Sequence, residues 1–177
     1  MKLYRFSPIK TEVQLREALA HVHAECSKLC NEKIGGYLPV AGNIGIFCHY
    51  DDEFDELIKL RNQLVDINDN WNQKYYRLHK PLTIPEKDGV PAATYTHLYV
   101  RRPDPYRSQV GDADFVMPVD QFKPLKQSLL AGEKKEGVRA FDRPELDMIE
   151  LHDPDIDALS YVHTHTMEDN MRRQKDE

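Results

Sequence analysis

Residue types that can ionise, stack or bind recur at every second position of one short run: Tyr95, His97, Tyr99 and Arg101. In an extended strand, side chains two apart share a face. These four therefore project to one side, with Thr94, Thr96, Leu98 and Val100 on the other. An imidazole titrates near neutrality and serves as a general acid or base. Tyrosine rings can wall a small-molecule pocket, and a guanidinium forks onto phosphate or carboxylate. The run continues into Arg101-Arg102-Pro103-Asp104-Pro105-Tyr106-Arg107, with three arginines inside seven residues. Its two prolines stiffen the loop and lower the entropy of fixing those donors. The chain carries a formal net charge of -6, so a local basic cluster points to an anionic small molecule as ligand. The expected site has His97 as the catalytic group and Tyr95, Tyr99, Arg101, Arg102 and Arg107 as ligand-binding residues. The competing reading is ion pairing, with Asp104, Asp112 and Asp114 neutralising the arginines at the surface.

A metal site has a thinner basis. His49, His97 and Glu150 sit on or at the ends of three predicted strands. They would converge only if those strands were neighbours, and such a mixed set suits zinc or another first-row metal. The one H-x-H pair, His163-Thr164-His165, falls at the start of the C-terminal tail. No cofactor can be named. G-x-x-x-x-G-K-[ST] and G-x-G-x-x-G are absent, and so is the G-x-S-x-G elbow. The two-histidine phosphoesterases carry H-x-[ST] twice, whereas His49-Tyr50-Asp51 and His97-Leu98-Tyr99 both miss the hydroxyl residue. Tyr95, Tyr99 and Arg101 could stack single-stranded RNA, but the RNP1 pattern is missing.

The elements that must position these residues follow from periodicity and punctuation. Thr11-x-x-Gln14 reads as a capping box. Leu15, Leu19, Val22, Cys26 and Leu29 then recur at helical steps, which predicts a helix over 12–31 ended by Gly35-Gly36. A buried strand over 44–49 leads to a helix over 52–66 capped by Asp51 or Asp52. Residues 67–93 carry Pro81, Pro85, Gly89 and Pro91 and resist assignment, which makes them a candidate site loop. Strands follow over 94–101 and 113–117. Asp120 caps the next helix, with Pro124 in its first turn. Strands over 138–141 and 146–151 precede a short edge segment at 158–162. Residues 163–177 show no apolar pattern and are expected to be disordered.

This order, β-α-β-β-α-β across 43–151, predicts an α+β two-layer sandwich. Its sheet would be antiparallel and ferredoxin-like, with helices on one face and an added N-terminal helix. The expected single domain spans 1–162. A faint echo links Asp52-x-Phe54-x-x-Leu57 to Asp120-x-Phe122-x-x-Leu125. Each follows an apolar strand and opens a helix. In that respect the pattern resembles the vicinal-oxygen-chelate (glyoxalase-like) group, which implies paired βαβββ modules forming an open cup.

Composition bounds the rest. The 177 residues are 40% hydrophobic and 31% charged, which suits a soluble globular domain. Mean hydropathy is -0.67 and no apolar run approaches membrane-spanning length. The acidic balance argues against duplex DNA and against an anionic membrane as partners. Three cysteines without framework spacing, and no apolar leader, fit the cytoplasm. The amphipathic first helix leaves room for a homo-oligomer or a non-catalytic interaction module. Together these readings favour a small-molecule or nucleotide-like metabolite domain on a His/Tyr/Arg sheet face, with acid-base catalysis available to it.

Overall fold

Thr11 opens the first helix by the predicted reciprocal cap. Its hydroxyl accepts from the Gln14 amide at 3.2 Å, and the Gln14 side chain accepts from the Thr11 amide at 3.2 Å. The helix, α1 (Glu12–Ile34), ends at Gly35, whose φ of +89° is a left-handed position suited to glycine. The whole predicted stripe from Leu15 to Leu29 is buried. The computed structural model describes residues 9–67, 74–141, 143, 147–169 and 172. Lys2 to Phe6, which the sequence reads as a short strand ended by Ser7-Pro8, lies outside them.

Seven strands follow: β1 (Val40–Phe47), β2 (Tyr75–Ile84), β3 (Ala93–Arg101), β4 (Gly111–Val116), β5 (Val138–Ala140), β6 (Ile149–Leu151) and β7 (Ala158–His163). Helix α2 (Asp51–Leu64) lies between β1 and β2, and α3 (Val119–Leu130) between β4 and β5. The fold is α+β. All seven strands form one sheet in the order β2-β3-β1-β4-β7-β6-β5. Two pairs are parallel, β1 with β3 and β4 with β7. The antiparallel ferredoxin-like expectation is therefore corrected to a mixed sheet. The residue stretch responsible is 158–163. Expected at an edge, it inserts between β4 and β6 because Ala158, Ser160 and Val162 present a fully buried face.

The two halves repeat one plan. In each, a first strand leads through a helix to strands that double back. The last of them lies parallel to the first: β1-α2-β2-β3 on one side and β4-α3-β5-β6-β7 on the other. The halves meet where β1 pairs antiparallel with β4.

Local details depart from the sequence reading for identifiable reasons. Helix α2 is not capped by Asp51 or Asp52. Glu53 reaches back, accepting from the His49 and Tyr50 amides at 2.9 and 3.3 Å. Helix α3 starts after Pro118, so Asp120 is inside it and Pro124 lies past the first turn. Strand β2 passes through Pro81, which an edge strand tolerates because no neighbour needs its missing N–H. Residues 163–169, expected to lack structure, are partly built into the fold. His163 closes β7, and Thr166 and Asp169 cap one another with the Thr166 hydroxyl donating at 2.7 Å.

Candidate functional site

Helices α1 and α2 cover one face of the sheet. The opposite face carries the chemistry, ordered by strand register into two rows. The first crosses all seven strands. Arg77 lies opposite His97 and His97 opposite Asn43; Asp114 lies opposite Tyr161, Tyr161 opposite Glu150, and Glu150 opposite Arg139. Asn43 and Asp114 close the row, the amide donating to the carboxylate at 3.0 Å. The second row holds Tyr75, Tyr99, Gly45, Asp112 and Leu159. A Cβ on Gly45 would overlap Asp112 Oδ1, so glycine there makes the space that the carboxyl fills.

A solvent-facing sheet surface would leave such polar groups exposed. Here Asn43, His97, Asp112, Asp114 and Glu150 are all buried. Burial, with Asp114 beside it, pushes the Asp112 carboxyl well above the usual carboxylate range. Burial, reinforced by Arg77, pushes the His97 imidazole down, so it is neutral at pH 7. Burial also raises Tyr75, Tyr99 and Tyr161, keeping their hydroxyls protonated. Buried polar atoms are nearly always paired. On this face Asn43 Oδ1, His97 Nε2 and Asp112 Oδ1 have no hydrogen-bond partner among the described residues. Glu150 Oε2 makes no hydrogen bond but has Arg107 Nη1 at 3.7 Å, and Arg139 reaches Oε1 at 3.2 Å.

The structure distributes the sequence-derived candidates unevenly. His97, Tyr99 and Arg101 do share the face opposite the helices. Tyr95 does not. Its hydroxyl meets His23 Nδ1 of α1 at 2.8 Å, while Leu98 also faces the helices, beside Leu15 and Leu19. Residues 95 and 98 share a side because the β2–β3 register shifts between Arg77 and Leu82. That bulge inverts the alternation. Tyr95 thus leaves both the ligand-binding set and the RNA-stacking set. Arg102 also turns toward the helices, its guanidinium 4.4 Å above the Phe54 ring. Arg101 pairs with Asp104 and lies 4.9 Å over Phe47, and Arg107 turns to Glu150. The metal candidates do not converge: β3 and β6, carrying His97 and Glu150, are separated by three strands. His49 lies beyond the end of β1. Among the described residues no group of three or more His, Cys, Asp or Glu could hold an ion. The free thiols are inert by burial, Cys30 and Cys48 being pushed up to about 12.

A groove of about 650 Å³ opens where β3 runs on past the start of β2. Arg61, Lys74, Arg101 and Arg102 line it with Tyr76 and Tyr99, and Asp104 is the one carboxylate in the lining among the described residues. Arg61 is 9% exposed. It donates to its neighbour Asn62 at 3.1 and 2.7 Å and sits 3.9 Å over the Tyr76 ring, with no carboxylate partner among the described residues. Sequence reasoning missed Arg61, which reads as the solvated face of α2, and Lys74. It missed Asn43 and Asp112 as well, each one residue before the expected start of its strand; only the pairing of β1 with β4 brings Asp112 to Gly45. A second groove, of about 360 Å³, lies on the helix side against Leu15, Leu19, Leu64 and Leu98 and collects no comparable cluster of charge.

No protein-family model matches the chain, and no curated protein matches it significantly. Among solved structures, two Streptomyces coelicolor methylmalonyl-CoA epimerase variants in complex with 2-nitronate-propionyl-CoA align with it. Identities are 17% and 18% and TM-scores 0.29 and 0.28; each alignment covers 71% of this chain and 97% of the epimerase. Likeness at that level assigns neither family nor activity. Among the described residues no helix is long and apolar enough to cross a membrane.

Proposed function

We propose that this protein binds a small molecule through an anionic group held in the groove at the end of β3. The supporting observation is the imbalance of charge there: Arg61, Lys74, Arg101 and Arg102 against Asp104 alone in the described lining. A buried guanidinium without a counter-charge is costly, and a phosphate or carboxylate accepting its N–H groups offsets that cost. Tyr99 lines the groove and also belongs to the polar rows, so it joins the groove to the buried polar face. His97 is the acid-base group on that face, neutral and with Nε2 unpaired, which is the state a general base requires. The paired-module cup fits the same layout. Each half closes a first strand parallel to its last, although the first half has one strand fewer.

Titration calorimetry with inorganic phosphate at low salt tests the reading. Arg102→Ala and Lys74→Ala should each weaken binding by about tenfold, as expected when a charge-assisted hydrogen bond is lost. Absence of phosphate binding, or equal binding by the double variant, would overturn it.

A further inference from the structure

A short segment closes the polar face around His97. Past β7 the chain continues through residues 164–168, all half-buried, to the exposed Asp169. It leaves from β7, yet Glu168 pairs at 3.6 Å with Arg77 of β2, and β4, β1 and β3 lie between those two strands in the sheet. Arg77 is the register partner of His97. Met167 lies over the same patch. A Cβ on Gly42 would meet both Met167 Cβ, at 3.9 Å, and Thr96 Oγ1, and that hydroxyl is 2.9 Å from His97 Nδ1. Beneath the segment, Asn43 and His97 are 0% and 1% exposed, and Asn43 Oδ1 and His97 Nε2 have no hydrogen-bond partner among the described residues. A permanent cover would be expected to pair them.

The hold of this segment on the sheet is weak. The Arg77 and Glu168 side chains are 64% and 42% exposed, and ion pairs so open to solvent contribute little. Thr166 and Asp169 spend their hydrogen bonds on each other: the Thr166 hydroxyl donates to Asp169 Oδ2 at 2.7 Å, and the Asp169 amide donates to Thr166 Oγ1 at 3.2 Å. That cap shapes the segment without tying it down. We propose that residues 164–169 are a strap that gates the polar face, closed in this state and hinged at the end of β7, so that its release opens His97 and Asn43 to a ligand. Moving elements of this kind are drawn from the least stable parts of a fold. The gate does not rest on the anion reading. The arginine groove, at the end of β3, is open while the strap is shut, and the strap controls a second compartment beyond Tyr99.

Histidine labelling of the full chain tests the gate without any ligand. Diethyl pyrocarbonate acylates neutral imidazoles that solvent reaches, and mass spectrometry gives the rate at each site. His79, with its side chain 51% exposed, reports the reagent. His23, buried on the helix side with both ring nitrogens bonded, reports opening of the whole domain. In the unaltered protein His79 should label fast, His97 slowly and His23 slowest. Asp169→Ala undoes the cap within the strap and leaves the sheet's own residues unaltered; it should speed His97 by about two- to tenfold. Glu168→Ala should speed it by about two- to fivefold. His23 and His79 should keep their rates in both. His97 labelling as fast as His79 in the unaltered protein overturns the proposal, because nothing then closes the face. An unchanged His97 rate in both variants overturns it too, because another element does the closing. A variant that speeds His23 in step with His97 has loosened the whole domain, and the other variant then decides; if both do so, His97 opens only by global unfolding and the gate falls.

Discussion

His23 and His97 are both buried, both lie close to β3, and both are pushed down in pKa by desolvation, yet they are solved in opposite ways. His23, on the helix side, uses both ring nitrogens. Nε2 donates to the Pro91 carbonyl at 2.9 Å, and Nδ1 accepts from the Tyr95 hydroxyl at 2.8 Å. The Tyr95 ring packs against it edge-on at 5.8 Å. His97, on the face opposite the helices, has one nitrogen on Thr96 and one with no partner. The first cluster is complete without anything from outside and ties α1 to β3. The second leaves one ring nitrogen unspent. A buried histidine is thus informative through its unspent hydrogen-bonding capacity, not through burial or pKa alone.

That contrast can be broken at several points. The largest effect belongs to the complete cluster. His23→Ala removes packing and strands the Tyr95 hydroxyl, so urea denaturation should show a loss of about 2–4 kcal/mol. Gly45→Ala comes next. The added methyl must displace Asp112, an overpacking cost of about 1–3 kcal/mol that urea denaturation should show.

Asp112→Asn should act in the other direction. The folded pKa of Asp112 is raised, so its contribution is fully present below the usual carboxylate pKa and is lost as pH rises toward the folded value. The amide escapes that loss. The variant should melt higher than the unaltered protein at pH 7, by the equivalent of about 1–2 kcal/mol, and the gap should close near pH 3. Lower melting at pH 7 would show that Asp112 has a hidden counter-charge.

The histidines give a pH signature of opposite sense. Both folded pKa values lie below the ordinary 6.5, so on acidification the unfolded chain takes up protons first. Stability is full above about pH 6.5 and drains away below it. Thermal melts from pH 7 to 5 should fall, and His97→Phe should flatten part of that slope. The smallest expected effect is Arg102→Ala on stability, about 0.5–1 kcal/mol from the lost stacking on Phe54, against its larger effect on phosphate binding.

The sequence made the local parts of this arrangement legible. The helical stripe of α1 and its capping box needed only spacings of three and four residues. The alternation on β3 identified His97, Tyr99 and Arg101 as neighbours. Tyr95 was misread because a bulge is a property of two paired strands, and β2 was hidden by Pro81. The polar row was out of reach for a similar reason. Asn43, Asp114 and Glu150 are brought together by pairings between strands far apart in sequence, one of them the misplaced β7. Arg61 and Arg102 illustrate a further limit: composition flags a cation, but only packing shows whether a carboxylate has neutralised it.

The outer edge formed by β2 has a consequence for how the protein behaves among its own copies. An open strand edge is a template on which another chain can pair and aggregate. Along β2, Val65 and Asp66 already pair with Leu78 and Arg77, Lys80 is exposed, and Pro81 interrupts the row of N–H donors. An incoming strand would meet an occupied stretch, a lysine and a missing hydrogen bond. The residue that obscured β2 in the sequence is therefore also a guard, keeping a seven-stranded sheet from growing an eighth strand borrowed from its neighbour.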